Sequence, residues 1–516
     1  MKYEFKVKKI DVESGGKNVI ILNKEDAEDL NLSAMDRVRV KDGGKSVIAL
    51  VDLAESYVKR GEIGFFEEVS KKIKIKKGSK VKLEPVDKPV AIEYIKKKMD
   101  GIALNEDEIN EIINEVMKEE LSDVELTAFI TSMYIRGLNN NETISLTKAI
   151  INSGSTLKIN KKPILDKHCI GGVPGNRTTM LLVPIVAAAG LTIPKTSSRS
   201  ITSPAGTADS MEVLAPVSLD EKKIKQVVKK TNACIAWGGA VNLAAADDKM
   251  IKIRHPLKMD PRGVLLASIL AKKKAVGATH VLIDIPVGIG SKVLTYRDAE
   301  QLAKDFMDLG TKLGMEIHCI TTPGYDPIGF AIGPALEARE IMRILYGEKV
   351  SLDLIDKSLV MAGLLLEMGG VAKEGEGRKM AQEILEDGRA LKKMKEIIKA
   401  QGGNPNIKPE DIKIGKFKLD IFIREEGRIH LIHDKVISEI ARTAGAPKDK
   451  GAGIYMYFEK GDKVKKGQKL MTIYAESKRK LEAAKEVFDK KVAVELDKVI
   501  LENFSTETKP IVYDFG

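Results

Sequence analysis

Two hydrophobic rhythms divide the chain. Through roughly the first 84 residues, apolar positions alternate with polar ones or run together briefly. YEFKVKKI, NVIILN, DRVRVKD, KSVIALVDL and SKVKLEP are the clearest cases, separated by Gly, Asn and Asp turn signals. They predict short strands, with one short helix in NKEDAEDLNLS, and hence a small β-barrel-like module over 1–84. The stiff PVDKP segment follows. From Ala91 the spacing switches to the helical period, in AIEYIKKKMDG, DEINEIINEVMKEE, SDVELTAFITSMYIRG and NETISLTKAIINSG. Ser122 and Asn141 are expected as N-caps and Gly101, Gly137 and Gly154 as C-caps. These segments predict a helical bundle over 85–157, on which later helices within 256–275 are candidates to pack.

From Pro163 the order becomes strand, glycine-containing loop, helix. PILDKH runs into GGVPGN and RTTMLLVPIVAAAG, LTIPKT into SSRSITSPAG, and THVLIDIPVG into GSKVLTYRDAEQLAKDFMDLG. Such alternation predicts an α/β sheet domain, 158–410, with binding loops at the strand ends. Its last part is mainly helical. The tail, 411–516, returns to strands, and GDKVKKGQKL resembles the hammerhead of biotinyl and lipoyl carriers without a modifiable lysine in an exposed turn. The whole is expected to be a multidomain α/β protein: barrel-like module, helical bundle, α/β sheet domain and C-terminal α+β hammerhead-like domain.

Composition narrows the function. No apolar run approaches the roughly 18 residues of a membrane span, and the first residues carry no apolar secretion segment, so no membrane is expected and a cytoplasmic location is. The three cysteines are far apart and no metal-ligand spacing occurs, so no metal is expected. A formal charge of +11 invites a nucleic-acid reading. However, the lysines alternate with glutamates on solvated faces, as in KKMKEIIK, and 5% aromatics leave little to stack bases on. A positive field suits a small anionic substrate better.

Three loops carry candidate chemistry. DKHCIGGVPGNRTTM follows a strand and opens a helix, so glycines 171, 172 and 175 let backbone amides approach an oxyanion, with Lys167, Thr178 and Thr179 as further donors. KTSSRSITSPAGTAD, one strand later, has seven hydroxyl side chains in fifteen residues and one arginine, Arg199. In the stretch 253–293, Asp260 stands before Pro261 at a helix start, Ser268 and Lys272 lie one turn apart on that helix, and Lys292 follows a GIG loop.

These loops, together with GPALEAREI, resemble the thymidine and pyrimidine nucleoside phosphorylase family from about residue 90 onward. The N-terminal module and the SSRSITSPAGTAD wording are most similar to the archaeal members that act on AMP. The resemblance implies phosphorolysis of an N-glycosidic bond, with inorganic phosphate as co-substrate and no cofactor. It implies that Lys167, Thr178, Ser197 and Thr207 hold the attacking phosphate. Gly172, Ser198, Arg199, Ser200, Ile201, Thr202, Ser203, Thr207, Ser268 and Lys292 would line the nucleotide site. Asp260 would be the proton donor, with His168, Arg254 and Lys272 beside the sugar and base. It also implies a homodimer or larger homo-oligomer.

The sequence departs from the nucleoside-specific members where Cys169-Ile170 replaces Ser-Thr, Pro174-Gly175 replaces Gly-Asp, and SRSITSPAGT replaces GRGLGHTGGT. An unphosphorylated nucleoside offers nothing at its 5′ end that needs an arginine and several hydroxyls. A 5′-monophosphate brings a dianion that a guanidinium binds through two parallel bonds. The expected reaction is therefore AMP plus phosphate to adenine plus ribose 1,5-bisphosphate. Burial beside Pro261 and an apolar helix is expected to tune Asp260 as acid. The alternatives are a thymidine or pyrimidine nucleoside phosphorylase, or a phosphoribosyltransferase. The latter would need a magnesium-binding acidic pair, and Asp247-Asp248 is expected instead to end a helix or face solvent.

Overall fold

The computed structural model describes residues 3–74, 78–86, 88–200 and 203–497. The chain forms two compact units, one of residues 1–145 and 249–262, the other of 146–248 and 263–516.

In the first unit, six strands close into a barrel in the order β1-β5-β2-β4-β3-β6. They are β1 (Tyr3–Lys9), β2 (Val19–Asn23), β3 (Arg37–Asp42), β4 (Lys45–Ala54), β5 (Glu62–Phe65) and β6 (Lys80–Pro85). Alternate side chains such as Val38, Val40, Val81 and Leu83 point inward and are buried. Helices α1 (Lys24–Asp29) and α2 (Glu67–Ile73) are inserted between strands. Sequence periodicity finds five of the strands and misses β5. That strand is only four residues long and contains Gly64, where a Cβ would stand 2.7 Å from Ile10 Cδ1.

Helices α3 (Ala91–Met99), α4 (Glu106–Lys118), α5 (Asp123–Arg136) and the start of α6 (Asn140–Asn152) follow. Ser122 caps α5 in a capping box with Glu125. The expected cap of the next helix moves from Asn141 to Asn139. Asn139 Oδ1 accepts from Glu142 N, and Glu142 Oε2 accepts from Asn139 N, both at 2.9 Å. A capping box needs the acid three residues on, and Asn139, not Asn141, has it. Glu142 also takes Lys98 Nζ at 2.7 Å in a buried pair that fixes α3.

The second unit is built on parallel strands β7 (Leu165–Cys169), β8 (Ile193–Ser197), β9 (Ala233–Trp237), β10 (His280–Val287) and β11 (Glu316–Pro323). β11-β10-β7 form one sheet and β8-β9 another. A parallel bridge between Ile164 and Thr192 joins them, giving the order β11-β10-β7-β8-β9. Because every neighbour is parallel, the C-terminal ends of all five strands share one edge. Behind this sheet α7 (Thr178–Ala188) is buried on all sides, as its unbroken TTMLLVPIVAA run requires. The chain continues through α8 (Thr207–Met211), α9 (Glu221–Thr231), α10 (Ala245–Arg254), α11 (Arg262–Ala275), α12 (Tyr296–Lys312), α13 (Pro334–Leu345) and α14 (Leu352–Met368).

Towards the C-terminus, strands Gly453–Met456, Lys469–Ala475 and Phe417–Phe422 form a sheet that the short segment Ala331–Ile332 joins at its edge. Helices Asp434–Thr443 and Lys478–Lys490 cover a separate apolar cluster there, with Ile437, Ile440, Ile454 and Ile473 fully buried. Among the described residues, no helix is long and apolar enough to cross a membrane.

Candidate active site

The loop after β7 is shaped by glycines that no other residue replaces at equal cost. Gly172 has φ +107°, and a Cβ there would lie 2.7 Å from Ser291 Cα and 3.1 Å from Lys292 N. The glycine loop is thereby pressed against the loop after β10, which brings Gly172 and Lys292 together.

Below this contact sits a buried charge cluster. Lys167, on β7, has its Nζ 3.0 Å from Thr178 Oγ1 at the first turn of α7 and 3.5 Å from Asp284 Oδ2 on β10. Lys195 on β8 donates to the carbonyl of Lys167 at 2.8 Å and lies 3.4 Å from Asp166 Oδ1, while Lys273 on α11 is 2.7 Å from Asp166 Oδ2. Lys357 on α14 completes the set, 3.3 Å from Asp284 Oδ2 and 3.0 Å from Thr322 Oγ1. Four ammonium groups thus face two carboxylates, both fully buried. Burial, against the pull of Asp166, lowers the Lys195 ammonium to about 7. Burial, then the charges of Lys273, Lys195 and Lys167, push the imidazole of His168 well below its usual range, so this neighbour stays neutral. A buried cluster with more lysines than carboxylates, beside the first turn of α7, suits an anion.

The three thiols are pushed up by burial, Cys169 to about 11 and Cys234 and Cys319 to about 12, so none supplies a thiolate at neutral pH.

At the end of β8 the serine-rich loop begins. Ser197 is half-buried and pairs in register with Trp237 of β9, and Ser198 is exposed. Asp209 Oδ2 accepts from the amides of Ser200 at 2.7 Å and Gly206 at 3.0 Å, which folds the loop back onto the start of α8. A Cβ on Gly206 would meet Ser198 O at 2.6 Å, so the turn closes only around glycine. Ser203 Oγ donates to Ala205 O at 3.1 Å, and Thr207 opens α8. Ile201 and Thr202 lie outside the described residues.

Arg199 is already engaged. Its guanidinium forms a two-pronged pair with Glu212, reaches Asp209 Oδ1 at 3.4 Å, and lies 5.0 Å over the Trp237 ring. Lys450 stands 2.9 Å from Glu212 and 3.4 Å from Asp209. The Arg199 pair, ahead of the Lys450 charge, holds the Glu212 carboxyl down at about 2.

Ser268 and Lys272 do share a face of α11, and both reach Asp247, Ser268 Oγ at 2.7 Å and Lys272 Nζ at 2.7 Å. The expectation that Asp247-Asp248 ends a helix or faces solvent is corrected: both stand in the first turn of α10, and Asp247 is fully buried as the acceptor for both groups. Asp248 keeps a half-exposed side chain 3.2 Å from Lys272.

Asp260 and Arg254 belong to the first unit, the residues above to the second. Asp260 follows α10 and precedes α11, with Oδ1 3.4 Å from Arg254 Nη1. Its expected burial is not found: the side chain is 43% exposed, as is usual for a carboxylate in a connecting loop that faces water.

Sequence reasoning missed Asp166, Asp284, Lys195, Lys273, Lys357, Glu212 and Lys450. For Asp284 a signal existed, a carboxylate inside an otherwise apolar stretch (VLIDIPV), which is costly unless cations meet it.

Comparison with known proteins bears on the same regions. The helical bundle domain of a glycosyl transferase family matches residues 92–154, its α/β domain 161–391, and the C-terminal domain of pyrimidine nucleoside phosphorylases 429–495. The solved anthranilate phosphoribosyltransferase of Thermus thermophilus aligns with a TM-score of 0.51 at 20% identity, over 60% of this chain and 98% of that one, a likeness of fold alone. The AMP phosphorylase of Thermococcus kodakarensis is 48% identical over 479 residues, 93% of this chain and 95% of that one. That of Methanosarcina mazei is 46% identical over 91% and 92%, and AMP phosphorylase 1 of Archaeoglobus fulgidus 45% over 96% and 98%. With such identity along nearly the whole of each relative, the chain belongs to the AMP phosphorylase family and carries the domains of the pyrimidine nucleoside phosphorylases.

Proposed function

We propose that this enzyme is a pentosyltransferase that cleaves nucleoside 5′-monophosphates with inorganic phosphate, converting AMP to adenine and ribose 1,5-bisphosphate in nucleotide breakdown and salvage. The observation that carries the chemistry is the buried, cation-rich cluster beside the glycine loop, with Lys167 Nζ 3.0 Å from the Thr178 hydroxyl. Lys167, Thr178 and Ser197 hold the attacking phosphate, and Thr207 serves both anions. A phosphate oxygen forms the bond to C1′ as the C1′–N9 bond breaks, and the electron pair leaves with adenine. Holding the phosphate in place removes the entropy cost of bringing the reactants together. Asp260 delivers the proton that makes adenine a tolerable leaving group, a role that rests on the resemblance to the family. Gly172, the 198–203 segment, Ser268 and Lys292 line the nucleotide, with His168, Arg254 and Lys272 near sugar and base. The reaction needs no cofactor, and the enzyme works in the cytoplasm as a homodimer or larger homo-oligomer.

Two other enzymes are separated by the same assay. A pyrimidine nucleoside phosphorylase would cleave thymidine in preference to AMP. A phosphoribosyltransferase would need an acidic pair for magnesium, and Asp247 is committed to Ser268 and Lys272. Release of the base, adenine or thymine, is therefore followed from AMP, adenosine and thymidine with and without phosphate. Phosphate-dependent release from AMP, fastest of the three, is expected; AMP left intact in the presence of phosphate refutes the proposal. Asp260→Asn is expected to lower kcat by about 100-fold or more with a smaller change in KM, on the scale of lost general acids. An unaltered kcat removes Asp260 from the role.

A further inference from the structure

Asp284 Oδ2 lies between two ammonium groups, Lys167 at 3.5 Å and Lys357 at 3.3 Å. Its other oxygen accepts the Thr322 hydroxyl at 2.7 Å. All of these groups stand at the same edge of the sheet. Asp284 pairs in register with Cys169, the last residue of β7 before the glycine loop, and Thr322 is next to the last residue of β11. Lys357 comes from α14, more than 180 residues later than Lys167 in sequence, and its side chain is only 10% exposed.

A buried carboxylate with one cation holds that cation tightly, and with two it divides its attraction. If Lys167 were the only partner of Asp284, its charge would be consumed inside the protein. An incoming phosphate would then have to compete with a carboxylate that cannot leave. Lys357 removes that competition. It lies outside the glycine-loop motif, and it shares Asp284 with Lys167. We propose that Lys357 is a positioning residue for phosphate: by neutralising Asp284 it leaves the Lys167 ammonium available to the anion. The proposal deepens the phosphorolysis reading and rests on it for the role of Lys167.

Consistent with that geometry, burial lowers the Lys357 pKa while the Asp284 charge opposes the shift. Asp284 itself is held below its usual range by the two lysines, against burial.

The test is a calorimetric titration of inorganic phosphate into the full-length protein at constant ionic strength, which needs no turnover. Lys357→Met is expected to weaken phosphate binding by about tenfold or more, within the range of couplings measured between contacting charges. Asp284→Asn alone is expected to bind phosphate at least as tightly as the wild type. The double variant, K357M with D284N, is expected to return to within about threefold of it, since the charge that captured Lys167 is gone. A merely structural role for Lys357 predicts no such rescue. Phosphate binding of Lys357→Met within about twofold of wild type, a double variant as weak as the single one, or weakening by Asp284→Asn each overturns the proposal. Should Lys357→Met fail to fold, the other two variants decide. Adenine release from AMP by the wild type is scored separately, so failure of the substrate reading and failure of this inference give different results.

Discussion

At the scale of single residues, the informative side chains are those whose charges are already spoken for. Arg199 is the expected clamp for a 5′-phosphate, and its fork is filled by Glu212. The two findings fit together if phosphate displaces Glu212, because Lys450 at 2.9 Å remains to compensate the released carboxylate. Substitution separates exchange from scaffolding. Under exchange, Arg199→Ala raises KM for AMP by about 10- to 100-fold, the worth of a charge-assisted bond, and alters adenosine turnover by less than about threefold. Glu212→Gln, which removes the competitor and keeps the shape, lowers KM for AMP. If Arg199 only braces the loop, both substitutions loosen it and both raise KM, so steady-state kinetics on the two variants with AMP and adenosine decide. The sequence showed Arg199 because it is the one arginine in a hydroxyl-rich loop. It could not show Glu212 or Lys450, whose meeting depends on the fold and not on spacing.

At the scale of elements, the glycine loop and the GIG loop form one construction. Gly171 and Gly172 both have positive φ, but a Cβ at Gly171 meets nothing within 4 Å, whereas one at Gly172 strikes Ser291 and Lys292. Alanine at either position carries a backbone penalty of about 1 kcal/mol. Only Gly172→Ala also displaces the loop bearing Lys292. Gly172→Ala is therefore expected to cost at least about tenfold more in kcat/KM than Gly171→Ala while their melting temperatures fall by similar amounts. Equal activities would mean that the loop contact does not position Lys292. Much of this level was legible from the chain: the strand–loop–helix rhythm, the two loops on one sheet edge and the Ser122 cap. What escaped were elements whose signal is not periodic, such as β5 with its internal glycine, and caps chosen by a residue three positions away, such as Asn139 with Glu142. The packing of Ala331–Ile332 against the C-terminal strands is likewise invisible, since two residues carry no period.

At the scale of the molecule, the second unit encloses carboxyl groups where water is scarce. Burial pushes Glu340 up to about 8 and Glu459 up to about 7, and burial together with the charge of Asp326 pushes Asp434 up to about 8. Each holds its proton in the folded state at a pH where the unfolded chain has released it. The native state then binds more protons than the unfolded one from about the ordinary carboxyl range up to the folded pKa, so the stability these groups contribute at low pH is lost as pH rises through about 8. Lys195, lowered to about 7, acts in the opposite sense, gaining stability as pH rises above that value. The net slope mixes both, and a difference between variants isolates one group. Asp434 is the informative choice. Neither of its oxygens has a hydrogen-bond partner, and a Cβ on Gly290 would stand 2.2 Å from its Oδ2, so the carboxyl packs directly under the GIG loop. Asp434→Asn keeps the shape and cannot ionise. Its melting temperature relative to wild type is expected to rise by several degrees between pH 6 and pH 9, at about 2–4 °C per kcal/mol for a large domain. Ionisation of Asp434 beneath the loop that carries Lys292 also predicts that the wild-type KM for AMP climbs above pH 8 while that of Asp434→Asn does not. A melting-temperature gap that stays constant from pH 6 to pH 9 would show that Asp434 is ionised in the folded protein throughout, and that this part of the interior admits a charge.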